Sequence, residues 1–127
     1  MNIVAQTIPH KNQRYNSVGD YYIGVIGYDT YNVSRMNNPA YELAVLAHEL
    51  VEFDLCKKAG ISEESVTKFD IEFETGRCVG EPGDDPGCPY RAAHQAASSV
   101  ERAVIAAMGE NWEVYEKRCE EITNGKD

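Results

Sequence analysis

The chain is short of positive charge, of paired cysteines and of long apolar runs, and each shortage removes a class of function. Twelve Lys and Arg stand against 21 Asp and Glu in 127 residues, a formal net charge of −9. Holding a nucleic-acid backbone takes clustered cations that neutralise phosphates, so nucleic acid is disfavoured as a partner and a basic protein surface is the better electrostatic match. Cys56, Cys78, Cys88 and Cys119 include no C-x-x-C pair, which leaves a cysteine-only zinc site without support. They read as free thiols of a reducing compartment, with a Cys78–Cys88 bridge as the alternative in an oxidising one. No apolar stretch approaches the ~18 residues of a membrane span, and no basic-then-apolar leader opens the sequence. The expectation is a soluble, cytoplasmic protein with no membrane partner, folded as one domain with a core of its own.

Residues 1–36 read as strand-rich. Segment 3–8 alternates loosely and stops at Pro9, while 21–26 and 28–33 are rich in Tyr, Ile and Val and flank Gly27, which suggests a hairpin. The polar stretch 10–20, between the first segment and this pair, carries His10, read as a solvent-exposed loop residue, and a Gly19-Asp20 turn signal. Tyr15, Tyr21, Tyr22, Tyr28, Tyr31 and Tyr41 gather in this part of the chain, either to line a ligand cleft or to pack as half-buried strand side chains.

Residues 37–76 read as helical. Asn37 or Asn38 can cap a first helix with Pro39 in its first turn, and Lys57 and Lys58 suit its last turn before Gly60. Ser62 caps a second segment in which Phe69, Ile71 and Phe73 alternate with Asp70, Glu72 and Glu74 in strand fashion. The cap and the spacing of Val66, Phe69 and Phe73 favour a helix, with Asp70 and Glu74 facing solvent. Residues 77–89 are broken by Gly80, Pro82, Gly83, Pro86, Gly87 and Pro89 and form a lid or binding loop. Asp84 and Asp85 lack the spacing of an EF-hand and read as turn formers. Residues 90–122 return to helix, with Trp112, Tyr115 and Cys119 on one side of a short closing helix, and 123–127 should fray. The fold class is α+β: a small N-terminal antiparallel sheet or hairpin followed by three to four helices.

The most informative stretch is His48-Glu49-Leu50-Val51-Glu52, where a histidine and two acids interrupt the apolar body of the first helix. At about 100° per residue the three polar side chains share one arc, flanked by Val45 and Cys56, while Leu43, Leu46, Ala47, Leu50 and Phe53 fill the opposite side. The arc is therefore expected to be at least partly buried. Burying an unpaired carboxylate costs several kcal/mol unless a cation, a metal or hydrogen bonds compensate. Residues four apart on a helix stand one turn apart, close enough for His48 and Glu52 to reach one ion. His94 sits at the edge of a second helical stripe formed by Tyr90, Ala97, Glu101, Val104, Ile105 and Met108, so it should point inward or toward a helix neighbour and is the candidate third ligand, with Glu101 on its side. A buried His paired with a Glu is the metal-free alternative.

This pattern resembles the H-E-x-x-H signature of the zincin metallopeptidases, in which a small antiparallel sheet lies against the metal-bearing helix and the Glu acts as general base. The resemblance implies zinc, with Glu52 where that family has its second His; carboxylate oxygen is a legitimate ligand at about 2.0–2.2 Å. The chain as a whole also resembles a group of small uncharacterised bacteriophage and prophage proteins. The likeness runs through Ile8-Pro9-His10 near Arg14-Tyr15, the helix with His48 to Glu52, the loop Glu81-Pro82-Gly83-Asp84-Asp85-Pro86, and Pro89-Tyr90 leading to His94. It implies a phage-encoded protein of the host cytoplasm and no particular activity.

The leading expectation is a zinc-dependent hydrolase in which His48, Glu52 and His94 hold the ion, Glu49 is general base, and Arg91 or Arg102 stabilises an anionic transition state. Its substrate would be a small molecule, a nucleotide or a peptide. A second enzyme reading gathers Glu49, Glu52, Asp70 and Glu74 as a carboxylate cage for magnesium or manganese, resembling the all-helical nucleotide pyrophosphatases. The non-enzymatic reading is an acidic interaction protein that covers a basic surface, with a structural metal or none.

Overall fold

Three strands open the fold: β1 (Ile3–Ile8), β2 (Gly19–Ile23) and β3 (Asp29–Ser34). The computed structural model describes residues 2–76 and 80–125; Cys78, one half of the possible bridge, and the end of the tail expected to fray lie outside the described residues. β2 and β3 form the expected antiparallel hairpin, with Tyr21 opposite Tyr31. β3 inserts between the two earlier strands, giving the order β1-β3-β2, so β1 joins it in parallel and the sheet is mixed.

The turn chemistry is shifted by a few residues from its sequence signals. Val25 and Ile26, expected in a strand, lie exposed in the hairpin turn, where Gly24 N donates to Tyr28 O at 2.8 Å and Gly27 takes a φ of 81°. Gly19 and Asp20, expected to turn, instead begin β2 and are buried. Arg14 makes this possible, because its guanidinium grips the Asp20 carboxylate through two hydrogen bonds of 2.6 and 2.9 Å and neutralises it.

Four helices follow. In α1 (Pro39–Lys58) the Asn38 side chain accepts from Ala40 N at 3.0 Å and Tyr41 N at 3.2 Å, satisfying donors that the first turn leaves orphaned. α2 (Glu63–Thr75) is capped by Ser62, which accepts from Ser65 N at 3.2 Å. The helix buries Val66, Asp70 and Phe73 and leaves Ile71 exposed, so the strand-like alternation is incidental and Asp70 does not face solvent; Glu74 does. α3 (Arg91–Ala107) and α4 (Trp112–Thr123) complete the chain, the latter capped by Asn111. Among the described residues no helix is long and apolar enough to cross a membrane.

α1 is the spine, packed on the sheet on one side and on α3 on the other. Its Tyr41, Ala44 and Val45 join Val33, Met36, Ile105, Tyr115 and Ile122 in one apolar cluster. Phe53 and Cys56 join Tyr21, Tyr31, Val66, Cys88, Tyr90 and Ala93 in another. Residues 48–52 of α1 fall at the seam between them. With neighbours on two sides, the helix turns its polar arc fully inward: His48, Glu49 and Glu52 are buried, whereas Leu43 is exposed and Leu46, Ala47 and Leu50 are half-buried.

Phe53 stacks on Tyr21 at 4.6 Å between ring centroids and meets the edge of Tyr31 at 6.0 Å. Phe53→Ala is expected to lower the unfolding free energy by about 3–5 kcal/mol in a denaturant titration, while Val25→Ser stays within about 0.5 kcal/mol of the parent. Equal, small effects at both positions would deny Phe53 its place in the core.

Candidate metal centre

α1 and α3 run antiparallel, which lets two residues a turn apart on one helix each meet a partner on the other. Oε2 of Glu52 lies 3.0 Å from Nε2 of His48 and 2.9 Å from Nδ1 of His94. The two rings stand edge to face, 4.7 Å between centroids. One ligand atom from each of His48, Glu52 and His94 lies within 4.8 Å of the others, close enough to hold a single metal ion. The convergence expected from the sequence is present, and all three residues are buried.

Each of the two α1 donors is oriented from behind. Nδ1 of His48 donates to Oε1 of Glu101 at 2.7 Å, and the other oxygen of Glu101 accepts from the Tyr115 hydroxyl on α4. Oε1 of Glu52 accepts from the Tyr21 hydroxyl on β2 at 2.7 Å. A metal-binding histidine commonly gives its second ring proton to a carboxylate in this way, which fixes both the tautomer and the ring angle.

The Glu52 carboxylate is clamped between two imidazole rings. Burial opposes charge on His48, but the hydrogen bonds with Glu101 and Glu52 outweigh it and push its pKa up to about 11. Burial likewise opposes charge on His94, and the Glu52 and Glu81 carboxylates push it up to about 10. For Glu52, burial favours the neutral acid, yet His48 and His94 override it and hold the carboxyl well below its ordinary value.

Glu49 behaves oppositely. Burial first, and then the charge of Glu52, push its pKa well above the ordinary value, and no described residue gives it a hydrogen bond or ion pair. Its carboxyl rests against the backbone of Gly19, where an added Cβ would strike both Glu49 and Val45. Gly83 is constrained in the same manner, since a Cβ there would enter the His94 ring. These two glycines, unremarked as site residues in the sequence, let β2 and the 80–89 loop approach the centre.

That loop contributes more than a cover. A helical turn at Pro82–Asp84 brings Oε2 of Glu81 to 3.2 Å and Oδ1 of Asp84 to 3.5 Å from Nε2 of His94. Neither approach has hydrogen-bond geometry, so this buried ring nitrogen has charged neighbours but no hydrogen bond. Asp85, by contrast, forms a turn by accepting from Gly87 N at 2.9 Å.

Other residues considered from the sequence lie elsewhere. His10 is half-buried and not exposed, held by Ser34 Oγ at 2.7 Å and Asn16 Oδ1 at 2.8 Å. Arg102 lays its guanidinium over Trp112, and the exposed Arg91 side chain makes no hydrogen bond or ion pair with a described residue. The four-carboxylate cage is not assembled: among the described residues no cluster of ligand atoms includes Glu49, Asp70 or Glu74. Glu74 instead accepts from Asn16 N, and both oxygens of Asp70 are taken by the hydroxyls of Tyr15 and Tyr90. No protein-family model matches the chain, and no curated protein or solved structure is significantly similar to it.

Burial pushes Asp70 up to about 6 from an ordinary 3.8, with the Tyr90 and Tyr15 hydrogen bonds limiting the rise. The folded chain therefore keeps a proton that the unfolded chain releases, and the stability this group contributes below its unfolded pKa is lost as pH rises to about 6. Urea titrations of Asp70→Asn and the parent should show the variant gaining, relative to the parent, up to about 3 kcal/mol between about pH 3.5 and about pH 7. A difference that stays constant over that range would contradict the raised pKa.

Proposed function

We propose that the chain is a zinc-dependent hydrolase whose metal is held by His48, Glu52 and His94. The observation that carries this reading is the buried three-donor set in which His48 is backed by Glu101 and Tyr115, and Glu52 by Tyr21. Ligands bound at about 2.0–2.2 Å around a tetrahedral ion stand about 3.4 Å apart, so the observed 2.9 and 3.0 Å contacts need open by only about half an ångström. Two imidazoles and one carboxylate suit zinc better than magnesium, which prefers oxygen alone.

Three protein ligands match the count at catalytic zinc centres, where the fourth position is left to water or substrate. When bound, zinc supplies Lewis acidity and brings a coordinated water's pKa toward about 7. Glu49, one residue from His48 and free of any described hydrogen-bond donor, would serve as the proton acceptor for such a water. The zincin-like order His48-Glu49-x-x-Glu52 supports the same assignment of roles, with a carboxylate in place of the second imidazole. A small molecule or a nucleotide fits a chain of 127 residues better than a long peptide.

Elemental analysis of untagged protein purified without chelators tests the metal. The parent should retain stoichiometric zinc, His48→Ala and His94→Ala should lose it, and Glu101→Gln should bind about 10–100-fold more weakly. Substoichiometric metal, equal in all four proteins, would reject the centre. On a hydrolysable ester or phosphoester that the zinc-loaded parent turns over, Glu49→Gln should keep its zinc and lose about 10²–10⁴-fold in kcat. Full activity in that variant would remove Glu49 from its role.

A further inference from the structure

Nε2 of His94 points away from the inner centre, toward two acids, Glu81 and Asp84, whose one cationic neighbour among the described residues is the His94 ring itself. His94 is 6 % exposed, and its Nε2 is buried without a hydrogen bond. Leaving such a group unsatisfied is costly, so a native structure that tolerates it invites a ligand. Facing it are Glu81 Oε2 at 3.2 Å and Asp84 Oδ1 at 3.5 Å, and one ligand atom from each of the three lies within 4.8 Å of the others. No Lys or Arg among the described residues pairs with either acid.

We infer that Nε2 of His94, Glu81 and Asp84 form a second divalent-cation site, on the opposite edge of the ring that serves the inner centre. The turn brings the two acids together: Asp84 N donates to Glu81 O at 3.1 Å, and Gly83 between them packs so close to the imidazole that an added Cβ would enter the ring. Their side chains are 69 % and 64 % exposed, which leaves room for waters to complete the coordination shell. Mixed nitrogen and oxygen ligation again selects a transition ion such as zinc. With an ion on each nitrogen the ring is an imidazolate, and its remaining proton passes to solvent as the outer ion binds. Simultaneous occupation rests on the function proposed above, whereas the outer site stands or falls separately.

Zinc titration of chelator-stripped protein, followed by equilibrium dialysis and native mass spectrometry, separates the two sites. The parent should take up two ions of unequal affinity. Glu81→Gln/Asp84→Asn, altered only at exposed side chains, should keep one ion at the parent's tighter affinity, His48→Ala should keep the weaker one, and His94→Ala should lose both. A single ion in the parent whose affinity falls about 10–100-fold in the double variant would mean that the two acids merely orient His94, and would overturn the outer site while leaving the inner one standing. A single ion lost in the double variant and kept in His48→Ala would support the outer site and remove the inner one. No binding to the parent overturns both.

Discussion

One carboxylate, that of Glu52, governs how the helical half of this protein is assembled. An ionised acid buried without partners would cost several kcal/mol, so α1 can dock only where positive or hydrogen-bonding groups meet it. His48 from the same helix and His94 from α3 supply them on Oε2, and Tyr21 supplies a third on Oε1. Apolar contacts alone would let two helices slide by a turn with little penalty. The pairs Glu52–His94 and His48–Glu101 permit one register, because a slip would strand several buried charges together.

The tyrosines explain how so many acids are tolerated inside a small chain. Tyr21 donates to Glu52, Tyr115 to Glu101, and Tyr15 and Tyr90 to Asp70. Tyr21, Tyr90 and Tyr115 each place the ring in an apolar cluster while the hydroxyl reaches the charged seam. Burial and the neighbouring carboxylates push all four phenols far above their ordinary pKa, so they remain donors at any physiological pH. Each of the four carries a hydroxyl donor to a buried carboxylate.

Local chemistry was legible where the signal lay within one turn of chain. The Asn38 and Ser62 caps, the choice of helix for α2 and the α+β order all follow from spacing and capping residues. Asp70 and Gly19 were not legible in the same way. Asp70 has an unremarkable surface-type spacing, and only the approach of Tyr15 and Tyr90 makes its burial tolerable. Gly19 reads as a turn signal because glycine usually is one; here it is needed for the close passage of β2 over Glu49. Glu81 escaped notice since acids in a Gly/Pro loop carry no sign of which side chain they will face.

By itself the sequence determined that His48 and Glu52 would share a helix turn, that the arc would be at least partly buried, and that His94 would sit at the edge of an apolar stripe. Those are properties of helical periodicity, which acts over a few residues. The insertion of β3 between β1 and β2, the antiparallel docking of α3, and the meeting of Glu52 with a ring 42 residues away were decided only in the tertiary structure. Such encounters depend on how whole elements pack to bury apolar surface without leaving a charge unpaired, a condition on the entire chain that no local pattern encodes.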